Sequence, residues 1–150
     1  MSSESSKAVT ITRQSGYQFL VDFGPDIPTL LADEPSPLGQ GSGPAPDHML
    51  LAAVANCLSA SLLFALQKFK QDPGALKATA TPVMGRNETK RLRIERIDVA
   101  IELGRPAAEL EHIDRVLAQF EDFCTVSMSV RQGIPIGVRV QDGAGAVIKG

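Results

Sequence analysis

The spacing of hydrophobic and polar positions changes several times along the chain, and each change marks an element. Residues 8–14 (AVTITRQ) and 17–23 (YQFLVDF) are β-branched or aromatic runs flanking Ser15-Gly16, which predicts a hairpin with a two-residue turn. Pro28–Ala32 predicts a short third strand. From Met49 to Leu66 the chain is almost continuously apolar, with Asn56, Ser59 and Ser61 the only polar residues among eighteen. Pro46 and Asp47 suit a helix start, since proline presets the first-turn dihedral and a carboxylate complements the dipole. Gln67, Lys68, Lys70 and Gln71 give a polar last turn before Pro73-Gly74, so this helix is expected to reach Lys70.

Strand periodicity then returns. Ala75–Asn87 reads as an irregular strand, whereas Leu92–Leu103 alternates strictly at Ile97, Val99, Ile101 and Leu103, the pattern of a strand with one wet face. Leu110, Ile113, Val116, Leu117 and Phe120 recur at spacings of three and four, which predicts an amphipathic helix over the dry face of the sheet. Val126–Arg131 can form one more turn, and Ile134–Val140 and Ala146–Lys149 read as closing strands. The expected class is α+β: one domain over residues 1–150, antiparallel sheets packed on a long buried central helix, and a disordered tail at residues 1–7.

Composition narrows the function classes. The chain has 150 residues and a formal net charge of −2, which gives no general pull toward nucleic acid or an anionic membrane. The basic cluster Arg86, Lys90, Arg91, Arg93 and Arg96 is diluted by Glu88 and Glu95 and lacks interleaved aromatics, so it reads as a solvated hairpin. Two cysteines are too few for a disulfide scaffold, and two histidines without ligand-type neighbours make no zinc site. The start MSSESSK lacks the apolar stretch of a signal peptide, so a cytoplasmic address with reduced thiols is expected. The 49–66 run meets the lower length of a bilayer span. Its small residues and central Asn56-Cys57 fit a helix buried in protein better, so no membrane association is expected. Gly39, Gly41 and Gly43 lack the GK[ST] ending of a phosphate loop, and Ser59 and Ser61 lack a nucleophile-elbow context.

Cys57 and Cys124 are 67 residues apart, which excludes a CxxC motif. Both can be small apolar core residues, as free cysteines often are. They can also be a nucleophile and its partner: a thiolate cleaves a peroxide O–O bond, becomes a sulfenic acid, and condenses with a second thiol.

Resemblance bears on that choice. The stretch "DEPSPLGQGSGPAPDHMLLAAVANCLSASLLFAL" (Asp33–Leu66) resembles the signature of the OsmC/Ohr family, the osmotically inducible and organic-hydroperoxide-resistance proteins. "FCTVSMSVRQGIPIGVRV" (Phe123–Val140) is similar to that family's resolving-cysteine segment, and the other elements agree in order. The resemblance implies an OsmC-like fold in an intertwined homodimer with active sites at the subunit interface. It implies a thiol peroxidase with no bound cofactor or metal, acting on organic hydroperoxides. Cys57 would be the attacking residue and Cys124 the resolving one, in an intramolecular disulfide re-reduced by an external dithiol such as a lipoylated protein. Family peroxidases also pair a glutamate ten residues before the nucleophile with an arginine of the amino-terminal hairpin. Here those places fall to Asp47, one methylene shorter, and Arg13. Asp47 equally suits a helix terminus, and Arg13 equally reads as an exposed hairpin arginine. Thr125 stands where the family has proline after the resolving cysteine. Two other readings share the fold: a non-enzymatic protein binding an apolar ligand at the dimer interface, and a thiol redox sensor.

Overall fold

A computed structural model describes residues 7–150; most of the expected amino-terminal tail lies outside the described residues. The chain forms two compact units that divide after Leu50.

In the first unit, β1 (Thr10–Ser15), β2 (Gln18–Asp22) and β3 (Leu30–Ala32) make an antiparallel sheet in the order β1-β2-β3. Arg13 pairs with Phe19 and Ser15 with Gln18, so Gln14 is an extra residue that bulges the hairpin. Gly16, at φ 52°, supplies the left-handed turn between the strands. After β3 the Pro- and Gly-rich loop folds around one side chain. Asp33 is buried, and its carboxylate accepts N–H groups of Glu34 (2.8 Å), Gln40 (3.2 Å) and Ser42 (3.0 Å). The bond from Ser42, against the cost of burial and with help from Glu34, Gln40 and Gln18, holds the carboxyl below its ordinary range. A side chain at position 39 would collide with Asp33 and the Glu34 carbonyl, which accounts for Gly39 without any phosphate.

The long helix α1 (Pro46–Lys68) begins in the first unit and runs into the second. Val54, Leu58, Ser61, Leu62, Ala65 and Leu66 form its buried stripe. It ends two residues before the expected Lys70 because Lys70 turns left-handed at φ 56°. The Lys70 N–H then bonds the Gln67 carbonyl and the Gln71 N–H the Leu66 carbonyl, a Schellman closure that satisfies the last orphan acceptors. The chain buries less of this helix than expected. Its most apolar window has a mean hydropathy of 2.1, yet only 33% of that window is buried. Ala52, Ala53, Ala60, Leu63 and Phe64 remain exposed. By length and composition α1 could cross a membrane, but its buried stripe is part of a protein core.

The second sheet runs β4-β5-β6-β7, with β4 (Leu76–Arg86), β5 (Leu92–Leu103), β6 (Ile136–Gln141) and β7 (Val147–Lys149). The alternation in β5 holds: Ile97, Val99, Ile101 and Leu103 are all buried. β4 is an edge strand, which tolerates Pro82 opposite Ile97, and Glu95 is the extra residue of a bulge beside Val83 and Met84. One pairing corrects the expectation of antiparallel sheets. β5 and β6 are parallel, Ile97 facing Ile136 and Val99 facing Val138. The helical segment between them carries the chain back to the starting end, as a parallel pair requires.

That crossover is not the single amphipathic helix expected. It comprises a 3₁₀ turn (Ala107–Glu109), α2 (Ile113–Gln119), a second 3₁₀ turn (Phe120–Phe123) and α3 (Thr125–Val130). His112 breaks it at φ 59°, stacking on Phe69 with ring centroids 4.8 Å apart. Leu110, Val116, Leu117 and Phe120 are nonetheless buried, as their spacing predicts, while Ile113 is half-buried.

Asp142, after β6, fastens the start of this crossover. It accepts N–H groups from Ala107 (2.7 Å), Ala144 (3.0 Å) and Ala146 (2.8 Å). The bonds from Ala107 and Ala146 lead in holding its carboxyl below the ordinary value, with Ala144 adding to them against burial. A lowered folded pKa gives stability that is present above the unfolded value, ~3.9, and is lost as pH falls through the folded value. Asp142→Asn should therefore melt at a lower temperature than the parent at pH 7, with the gap closing below about pH 4. Melting curves from pH 7 to 2 check this, and a gap independent of pH would contradict it.

Candidate active site

Cys57 lies midway along α1, half-buried, and Cys124 lies fully buried between the second 3₁₀ turn and α3; both are free thiols. Cys57, Ala60, Ser61, Phe64, Phe123 and Thr125 line one open groove of about 430 Å³. Helix periodicity explains the first four: positions 57, 60, 61 and 64 follow the three- and four-residue steps of one face. Phe64 and Phe123 meet edge to face with centroids 5.9 Å apart, joining α1 to the segment that carries Cys124. The Lys68 ammonium rests 5.0 Å from the Phe64 centroid and 4.5 Å from that of Phe123. The groove walls themselves are apolar or hydroxylic, with no charged side chain among the lining residues.

Cys124 begins α3. Its backbone is extended, and its sulfur accepts the Ser127 N–H at 3.4 Å in place of a conventional oxygen cap. Thr125 is the first helical residue, where a proline would also fit because that N–H has no partner within the helix. Burial, and then the neighbouring Cys57 thiol, push the Cys124 pKa up, against smaller opposite effects of Ser127. Cys124 is therefore held as a thiol at neutral pH, and the more exposed Cys57 faces the groove.

The structure thus brings Cys57 and Cys124 together within the second unit. Asp47 and Arg13 belong to the amino-terminal unit. Asp47 is exposed in the first turn of α1 and its carboxylate accepts the His48 N–H at 3.0 Å. His48 in turn accepts the Ala45 N–H through Nδ1 at 3.0 Å, a cap rather than a ligand position. Arg13 is exposed on β1 and its Nε donates to the Gly16 carbonyl at 2.9 Å, across the hairpin turn. Among the described residues, no three His, Cys, Asp or Glu side chains cluster to hold a metal. Phe64 and Phe123 were not singled out by sequence reasoning. The signal for Phe64 was present as its seven-residue spacing from Cys57; Phe123 had only its place beside Cys124.

The family model for OsmC-like proteins matches residues 39–139, the span that holds both cysteines and the helix between loop and sheet. The chain belongs to the OsmC family. Solved OsmC-family structures share its fold. An OsmC-like protein of unknown function from Vibrio cholerae superposes with a TM-score of 0.76 at 14% identity, covering 91% of this chain and 99% of that one. An organic hydroperoxide resistance protein from Elizabethkingia anophelis gives 0.73 at 18% identity, covering 95% and 99%. That of Bacillus subtilis gives 0.68 at 13%, covering 91% and 98%. No curated protein sequence matches the chain significantly. At these identities the solved structures establish the OsmC fold, and the chemistry has to be argued from the groove and its two thiols.

Proposed function

We propose that this OsmC-family protein is a thiol peroxidase that reduces organic hydroperoxides to alcohols. The observation that carries this reading is the placing of a half-exposed thiol, Cys57, in an apolar groove beside a buried thiol, Cys124. The Cys57 thiolate attacks the terminal peroxide oxygen; an S–O bond forms, the O–O bond breaks, and the departing alkoxide takes a proton to become the alcohol. The Cys124 thiol then attacks the Cys57 sulfenic acid. An S–S bond forms, and the Cys124 proton leaves with the hydroxyl group as water. An external dithiol, such as a lipoyl group, returns the disulfide to two thiols by exchange. The apolar walls favour alkyl hydroperoxides over hydrogen peroxide, since the alkyl part gains burial.

Within this reading Arg13 supplies the cation that steadies the Cys57 thiolate, Asp47 orients it, and a second copy of the chain covers the exposed face of α1 in a cytoplasmic homodimer. Exposed Ala52, Ala53, Ala60, Leu63 and Phe64, on a face interrupted by the exposed Asn56, support the last point, since so apolar a face calls for a partner.

One equivalent of cumene hydroperoxide added to the reduced protein should lower its intact mass by about two units as the disulfide forms. An unchanged mass with both thiols still alkylatable would reject the peroxidase. The lack of a charged side chain in the groove lining favours one other reading, a binding protein for an apolar ligand. Saturable binding of a fatty acid without peroxide consumption would select it.

A further inference from the structure

The segment that carries Cys124 is closed by a charged clasp. Glu121 lies in the second 3₁₀ turn, three residues before the cysteine, with its side chain only 16% exposed. One carboxylate oxygen takes Arg131 Nη2 at 2.7 Å, at the far end of α3, and the other takes Lys149 Nζ at 2.7 Å, on β7. Lys149 also donates to the Leu117 carbonyl of α2 and stands 5.1 Å from the Phe120 ring centroid. Arg131 is partly exposed, but its Nε is buried without a hydrogen-bond partner among the described residues, and Glu121 ties its guanidinium through Nη2. Burial alone would raise the Glu121 pKa, but the bonds and charges of Lys149 and Arg131 outweigh it, so the carboxyl lies below its ordinary range and stays ionised near neutrality.

We infer that Glu121 is a positioning residue for the resolving step, holding Cys124 in line for the Cys57 sulfenic acid through its links to Arg131 and Lys149. This rests on the two-thiol reading above. α3 has six residues, too few to hold its own conformation, so its place depends on tertiary ties. Residues 121–131 form a loop whose two ends the Glu121–Arg131 pair joins, with Cys124 inside it, and Lys149 fixes that loop to the sheet. A disulfide forms only in a narrow range of Cβ separation and dihedral angle, so an excursion of about 1 Å at Cys124 is enough to slow closure. Oxidation of Cys57 does not involve the clasp. The two steps should therefore respond separately.

In Glu121→Gln the amide NH₂ must face Arg131 or Lys149, both donors, so one link is lost without a change of size. With the full-length protein mixed rapidly with cumene hydroperoxide, sulfenic acid trapping reads the first step and intact mass the second. The Gln variant should form the sulfenic acid at the parent rate but close the disulfide about tenfold more slowly. Excess peroxide should then drive Cys57 on to the sulfinic acid, a gain of about 32 mass units over the thiol. Lys149→Arg, which keeps the charge, should close at close to the parent rate. Lys149→Met, which leaves Glu121 and Arg131 paired, should be slowed and serves if the Gln variant does not fold. Parent-rate closure in the folded Gln or Met variant overturns the inference, as does equal slowing of both steps. Failure of the parent protein to form the disulfide overturns the peroxidase reading instead.

Discussion

Cys57→Ser is expected to abolish peroxide consumption, lowering turnover by at least about a thousandfold in a coupled assay with excess dithiol. A serine hydroxyl fills nearly the same volume but is not ionised near neutrality, and only the anionic form of the nucleophile attacks the O–O bond effectively. Cys124 cannot stand in. It is fully buried, its thiol is pushed toward the neutral form by that burial and by Cys57, and its sulfur is occupied as the cap of α3. The remaining groove lining, Ala60, Ser61, Phe64, Phe123 and Thr125, holds no other reductant. Because the substitution removes no apolar volume from the core stripe of α1, the variant should fold and melt like the parent. Retention of more than a tenth of the parent rate would move the nucleophile elsewhere, and loss of folding would show that Cys57 is a packing residue.

The parts of this arrangement that were legible in the sequence are those written in a single local period. Ile97, Val99, Ile101 and Leu103 announced a half-buried strand because side chains of a strand alternate between faces. The apolar run around Cys57 and the segment around Cys124 announced the two thiols as a pair through resemblance. What stayed hidden depends on geometry that one-dimensional patterns do not encode. Alternation in β6 is the same whether it pairs parallel or antiparallel with β5, so the direction of that pair was open. The left-handed turn at His112 has no glycine to mark it, and the residues on both sides keep a helical spacing. The meeting of Phe64 with Phe123, and of Glu121 with Lys149, joins residues far apart in the chain that no local period relates. The all-round apolar character of α1 does not mark which side packs into the core, and only 33% of its most apolar window is buried.

The largest loss of stability is expected from Phe120→Ala, about 3–5 kcal/mol in denaturant unfolding. Phe120 has no exposed surface, and it lies where α2 passes into the 3₁₀ turn ahead of Cys124. Truncation removes its burial and opens a cavity that short, separately fixed segments cannot readily close. It also takes away the ring beneath the Lys149 ammonium, which then rests on Glu121 and the Leu117 carbonyl alone. A protein of this size has only ~5–15 kcal/mol of stability in all, so the variant should show a large fall in the unfolding midpoint. The effect should reach the chemistry in a defined way. Cys124 lies four residues beyond Phe120, and its burial depends on the same packed turn, so alkylation of Cys124 in the native variant should speed up while that of Cys57 changes little. A midpoint near that of the parent would mean that the neighbouring side chains fill the space left by the ring. In that case the position of Cys124 would rest on the Glu121 clasp rather than on the packing around Phe120.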